Sequence, residues 1–507
     1  MALPKVYGIE TEYGIRHSGV ADPNPIAASS VLINAYLAAL ARRAEGRVGA
    51  PERVGWDFED EHPGDDARGF CRDGAQPPEI ETHLVNAVLT NGARYYVDHA
   101  HPEYSSPECS DPLQAVRFDR AGERILVESM EAASRQLPEG QEIVVYKNNS
   151  DRKGNSYGCH ENYLMDRNVP FGQIVKHVLP HFVTRQIWSG AGKVGCEAAT
   201  TGGVEVPFQL TQRADFFEEE VGLETTLKRP IINTRDEPHA DASRYRRLHV
   251  IIGDANRSEV QTFLKLGVTG FMLCMVEDDW FGDRDFTPAT PVLTLRQISY
   301  DLTLRKPFEL ADGTTVTALD VQWEHLGLAR KWAEENGLEA VGGELVGREV
   351  LRRWEQVLTA LESDPDSLAD QIDWVAKKKL LEAYRDRDGL GWRHPKLAQL
   401  DLVYHDLRPG KDLAGKLGLE RLVTEAEVTG ATTSPPPTTR AWFRGMCLER
   451  FPGQIAAANW DSLVFDLGGE PLKRVAMMEP LRGTEEIVGP LLEGCDDAGE
   501  LLRRLGA

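Results

Sequence analysis

The stretch Asn91–Tyr104, NGARYYVDHAHPEY, decides the reading of this 507-residue chain. Side chains two apart on a strand share a face, so Arg94, Tyr96 and Asp98 fall on one side while Tyr95 and Val97 fall on the other. One face is polar and the other belongs to a core. Past the turn-forming HAHP, Glu103 brings a second carboxylate back near Asp98, beside Ser105 and Ser106, whose hydroxyls suit phosphate. A surface strand end with an Arg–Asp pair would be worth little energetically and would not bring this mixture of groups together.

Three further strands repeat the theme. GIETEYG places Glu10 and Glu12 side by side, with Gly8 allowing close backbone approach. Paired carboxylates suit Mg²⁺, a hard ion that prefers oxygen ligands and works together with substrate phosphates. His160 and Asn162 share a face in GCHENYLM, and Arg247 and His249 share one in RRLHVIIGDAN. A lone histidine on a strand is more often a hydrogen-bonded structural residue than a ligand, but four strands with one polar pattern point to a built metal–phosphate site. Other motifs fall away: HENYL lacks the second histidine of a zinc protease, and GAGKVG at 190–195 lacks the spacing and the Ser or Thr of a P-loop. Lys377–Lys379 reads as a solvated helix face.

Working outward, Pro25–Arg43 has helical apolar spacing, whereas 44–81 is rich in Gly, Pro, Asp and Glu without periodicity and reads as a mobile acidic loop. A helix is expected over Asp111–Leu137, strands at EIVVYKN and SYGCHENYLM, a strand at RRLHVIIGDAN, a helix over Ser258–Val276 and three helices within 318–389. GATTSPPPTTR, 430–440, reads as a linker and sets a boundary between residues 1–430 and 441–507, the latter a helix, two short strands and two terminal helices. Strands and helices alternate without a βαβ repeat, which makes the class α+β.

The net charge of −23 argues against nucleic acid as a partner. Seven cysteines without a CxxC pair fit a reducing compartment. The start, MALPKVYGIETEYG, has no signal-peptide core, and the apolar stretch near Val268–Val276 is too short to span a bilayer, so the expectation is a cytoplasmic protein with no membrane partner.

Taken together, GIETEYG, ARYYVDHAHPEY, YGCHENYLM, TTLKRPIINTRDEPHADASRYRRLHVIIGDAN and NWDSLVFDLGG resemble the Dop family of depupylases and Pup deamidases over nearly the whole chain. That family shares its fold with the Pup ligase PafA and, more distantly, with glutamine synthetase and γ-glutamyl-cysteine ligases. The resemblance implies a glutamine-synthetase-like curved antiparallel sheet cradle packed on helices, with a small α/β C-terminal domain. It places Asp98 at the catalytic aspartate and Glu10, Tyr96, Glu103, His160, Asn162 and His249 at or next to metal ligands. Arg94, Ser106, Arg247 and Trp460 fall where the family contacts ATP, and the strand pattern adds Gly8 and Ser105. The implied reaction cleaves the side-chain amide at the C-terminal residue of Pup, from Pup-Gln or from pupylated proteins, with Mg²⁺ and ATP as cofactors and ATP not consumed as fuel. Asp98 would attack the carbonyl, giving a transient anhydride, or would deprotonate water. GIETEYG, HAHPE and the insertion at 44–81 favour Dop over an ATP-consuming ligase of the PafA type; a non-catalytic Pup-binding adaptor is the second rival.

Overall fold

The polar alternation read along the chain is realised in one sheet. The computed structural model describes residues 2–44, 54–59, 61–71, 84–197, 206–468 and 471–506. The sheet comprises β1 (Tyr7–Glu12), β2 (Asn86–Val88), β3 (Arg94–Asp98), β4 (His101–Ser105), β5 (Cys159–Asp166) and β6 (Tyr245–Val250). Their spatial order is β6-β5-β1-β4-β3-β2, with all neighbours antiparallel. Within NGARYYVDHAHPEY the expected turn separates β3 from β4: the chain reverses at His99 and Ala100, where His99 takes a φ of 50°.

Helices back the apolar face. The helix α1 (Pro25–Ala44) and the helix α2 (Pro112–Ser134) match their apolar spacing, and the Asp111 side chain caps α2 by accepting from Gln114 N. The helix α3 (Glu259–Glu277) is capped by Ser258 and buried along nearly its whole length. It lies so close to β1 that a Cβ on Gly270 would sit 2.5 Å from the Tyr7 hydroxyl oxygen. By length and composition Pro25–Arg43 and Glu259–Glu277 could each cross a bilayer, contrary to the sequence expectation; the second lies wholly inside the protein, where its apolarity serves the core.

Several expectations change. RRLHVIIGDAN leaves the sheet after Val250, where the Asp254 side chain turns to accept from Ala191 N and Gln212 N. Lys377 is buried, pairing with Asp401 at 2.9 Å, so only part of the lysine run is a solvated face. The insertion at 44–81 falls partly outside the described residues. Its described part is built in: Gly55–Trp56 pairs in parallel with Ala457 and Ala458, and Asp65–Asp66 pairs with Phe70–Cys71. The first of these strands completes a four-stranded sheet with Ile455–Ala458, Ser462–Phe465 and Lys473–Ala476.

The Pro-rich stretch 430–440 is also packed, with Pro435 and Pro436 buried. Beyond it, Arg440 Nε donates to Glu108 Oε1 at 2.8 Å, and Arg444, fully buried, donates to both Glu108 oxygens. Burial alone would raise the Glu108 carboxyl, but Arg444 and Arg440 outweigh it and hold it down at about 2. A depressed carboxyl contributes stability that is present above its unfolded value, 4.5, and lost as pH falls toward 2. Glu108→Gln is therefore expected to cost on the order of 3 kcal/mol near neutral pH, with the gap to wild type closing between pH 4.5 and pH 2. Denaturant unfolding of both proteins across that range checks it; a gap independent of pH would refute the assignment.

Candidate active site

Strand register gathers the polar faces at one end of a cleft of about 1450 Å³. Glu10 stands opposite His160 on one side and Ser105 on the other, Glu12 opposite Glu103, Tyr96 opposite Glu103, and Asn162 opposite His249. Every side chain that two-residue alternation selected therefore reaches the same surface, and the carboxylates and imidazoles separate into two groups.

In the first group, ligand atoms of Glu10, His160 and His249 lie within 4.8 Å of one another. His249 Nδ1 faces Asn233 Oδ1 at 3.1 Å, while Asn233 Nδ2 donates to Leu223 O at 3.1 Å. The amide oxygen can only accept, so Nδ1 carries the proton and Nε2 presents a lone pair, 3.6 Å from Glu10 Oε2. Burial holds His249 down at about 3, which keeps it neutral despite the Glu10 carboxylate. Burial opposes the Glu10 charge too, but hydrogen bonding to His160 outweighs it and holds that carboxyl well below the usual range. A lone pair facing a carboxylate is repulsive unless a cation lies between them, and a histidine whose far nitrogen is anchored in this way has the usual arrangement of a metal ligand.

The second group joins Glu12, Asp98 and Glu103, again within 4.8 Å. Glu103 is only 2% exposed. Its burial, with Asp98, Glu12 and Glu10 nearby, pushes its carboxyl well above the usual range. Asp98 behaves oppositely: burial would raise it, but hydrogen bonding to His99 at 2.9 Å, with the charges of His160 and Arg94, keeps it low and ionised. An oxygen-only donor set of like charges fits a hard divalent cation, whose charge the cluster needs.

Neighbours orient these carboxylates. The Tyr96 hydroxyl donates to Glu103 Oε1 at 2.7 Å, its phenol held protonated by burial and by Glu103. Asn162 donates to Glu10 Oε1 at 2.9 Å and accepts from Arg247 Nη1 at 2.7 Å. A smaller pocket shares Glu10, Ser105, Arg247 and Trp460 with the cleft and is also lined by Gly8 and Ser106. A Cβ on Gly8 would make only an ordinary 3.6 Å contact with Asn162 Cβ, so packing alone leaves room for one there. The Ser106 hydroxyl accepts from Ile9 N at 2.9 Å and donates to Pro107 O at 3.2 Å, which makes it first a tie between β1 and the turn after β4.

Sequence reasoning read Glu10 and Glu12 as a carboxylate pair suited to Mg²⁺, but the ligand positions taken from the family resemblance left Glu12 out, although it joins Asp98 and Glu103. It also missed Glu61 in the insertion, Arg213 and Arg229, which line the cleft, and Trp56, which packs against Arg94. Arg213 is buried and donates to the carbonyls of Ile251 and Gly253; nothing local in QLTQRAD marks it.

Residues 5–464 match the family model described as Pup-ligase protein. The chain is 52% identical to a depupylase of Acidothermus cellulolyticus, covering 99% of each protein. It is 46% identical to the Pup deamidase/depupylase of Mycobacterium tuberculosis over 100% of this chain and 99% of the relative. Identity to the Pup–protein ligase of Nakamurella multipartita is 42%, over 80% of this chain and 90% of the ligase. Among solved structures, the complex of the prokaryotic ubiquitin-like protein Pup with its ligase PafA superposes with a TM-score of 0.77 at 32% identity, covering 97% of this chain and 92% of the other. PafA in complex with ADP gives 0.69 at 36% identity, covering 80% and 89%.

Proposed function

The chain belongs to the Pup-ligase protein family, and on that premise we propose that it is a depupylase and Pup deamidase in which Asp98 carries the reaction. Its fold is the α+β, glutamine-synthetase-like architecture of that family. The enzyme hydrolyses the side-chain amide at the C-terminal residue of Pup, converting Pup-Gln to Pup-Glu and releasing Pup from substrate lysines. The observation that carries the hydrolase reading over the ligase is full-length identity to depupylases, 52% over 99% of the chain, against 42% over 80% for the ligase.

The site chemistry follows from the two groups of donors. Glu12 and Glu103, with Asp98 beside them, and Glu10 with His160 and His249, are the residues that would hold divalent cations; Tyr96 and Asn162 orient one carboxylate in each set. Bound there, Mg²⁺ supplies Lewis-acid polarisation of the amide carbonyl and neutralises phosphate charge. Arg94, Arg247, Ser105, Ser106, Gly8 and Trp460 form the nucleotide contacts, with ATP bound as a cofactor. Asp98, ionised and oriented by His99, either attacks the amide carbonyl or takes a proton from water that does so; the C–N bond then breaks and the nitrogen leaves as ammonia or as the lysine amine after accepting a proton, and in the first case water hydrolyses the resulting anhydride, freeing Pup-Glu and the Asp98 carboxylate. Seven cysteines without a CxxC pair agree with a cytoplasmic location.

Incubating the purified chain with a Pup conjugate, Mg²⁺ and ATP tests the reading. Free Pup is expected, without steady ADP production. New conjugate with ADP would identify a ligase, and an unchanged conjugate an adaptor.

A further inference from the structure

Within the insertion, Phe58 and Glu61 line the cleft, and Trp56 packs against Arg94, which also lines it. As a strand residue Trp56 pairs with Ala458 of the C-terminal sheet. Its indole Nε1 donates to Glu61 Oε1 at 2.6 Å, and its ring meets Trp460 edge-on at 5.2 Å between centroids. The flanking residues are clamped as well: Arg474 pairs with Asp57 at 2.6 Å and with Glu59. On its inner side the Trp56 ring lies 4.0 Å from the guanidinium carbon of Arg94, and the Tyr96 ring lies 3.9 Å from the same atom. Arg94 Nε donates to Asn86 Oδ1 at 3.1 Å, and Glu61 stands 3.9 Å from Nη1.

An arginine held between two aromatic faces, with its Nε committed, has lost its rotamer freedom before any ligand arrives. Its remaining N–H groups are then pre-oriented for a phosphate. We propose that Trp56 is a positioning residue for the nucleotide: it fixes Arg94 against Tyr96, and through its strand pairing it ties nucleotide affinity to the placement of the C-terminal sheet. This rests on the nucleotide reading of Arg94 given above and deepens it. The consequence is a definite role for the insertion, whose Gly55–Trp56 strand belongs to the C-terminal sheet and to the site at once.

The test is a double-mutant cycle on the full chain, read as the Kd for ATP in the presence of Mg²⁺. Trp56→Leu keeps an apolar side chain in the C-terminal core while removing the π face, and Trp56→Phe keeps both. Trp56→Leu is expected to weaken ATP about tenfold, on the scale of a desolvated cation–π contact, and Trp56→Phe to stay near wild type. In an Arg94→Ala background, Trp56→Leu is expected to change nothing further, because the group it positions is gone. Unfolding midpoints near that of wild type establish that each variant is folded. Wild-type affinity in folded Trp56→Leu, or a full additional loss in the Arg94→Ala background, would overturn the positioning role while leaving the nucleotide reading intact. Failure of the wild-type chain to bind ATP at all would overturn both.

Discussion

Asp98→Asn is expected to bind ATP and Pup within about twofold of wild type while conjugate cleavage falls on the order of 10³-fold, within the range for losing a group that transfers a proton or attacks. Asparagine keeps the shape of the side chain, and its Oδ1 can still accept from His99 Nδ1, now at 2.9 Å from an Asp98 oxygen. Glu12 and Glu103 remain as the other members of the group. What disappears is the ionised oxygen, which burial alone would have protonated and which His99, His160 and Arg94 keep charged. An amide is neither a useful base nor a nucleophile at neutral pH. Single turnover in ¹⁸O-labelled water bears on the two roles: label in the Asp98 carboxylate identifies direct attack with water opening the anhydride at the Asp98 carbonyl, whereas general-base catalysis puts label only into the Pup product. Near-normal turnover by Asp98→Asn would remove Asp98 from the mechanism.

The site was legible because sheet periodicity is a two-residue rule that needs no tertiary information. Once β3 was recognised, Arg94, Tyr96 and Asp98 had to share a face, and the same step from Glu10 led to Glu12 and from His160 to Asn162. The division into two ligand groups was not legible, since it depends on which strand lies beside which: β1 sits between β5 and β4, so Glu10 looks toward His160 and Glu12 toward Glu103. Polarity also misleads on the other face. Glu161 alternates with His160 and Asn162, yet points into the core, where Arg185 pairs with both of its oxygens at 2.6 and 2.9 Å. In the insertion, the described strands Gly55–Trp56, Asp65–Asp66 and Phe70–Cys71 were not anticipated. The insertion's glycines and acidic residues suggested an element without a packed role, but Trp56 alone supplies a strand contact, a core contact and a cation–π contact. The low hydrophobicity of WDFEDE hid this because Asp57 and Glu59 are spent on Arg474, from a distant part of the chain, and Glu61 on Trp56.

Glu103→Gln is expected to act with opposite signs in the absence and presence of Mg²⁺. Without the ion, burial and the nearby Asp98, Glu12 and Glu10 disfavour the ionised form of Glu103, only 2% exposed, and folding has to bear the cost of that group. Replacing it by an amide that still accepts from Tyr96 should therefore stabilise the metal-free protein by about 1–3 kcal/mol. With the ion, the same change removes an anionic ligand, so the Mg²⁺-dependent rise in melting temperature should largely vanish. The affinity for ATP at fixed Mg²⁺ should fall about 10–100-fold, the range seen when the shell around a metal is disturbed. Glu10→Gln would leave His249 Nε2 facing a neutral amide and is expected to lose affinity without the metal-free gain, because the Glu10 carboxylate is already held by Asn162 and His160. Melting curves of the three proteins, with Mg²⁺ added and with it chelated, provide the check. A Glu103→Gln variant destabilised under both conditions would mean that Glu103 acts as a structural hydrogen-bonding group and that the carboxylate group is not a cation site.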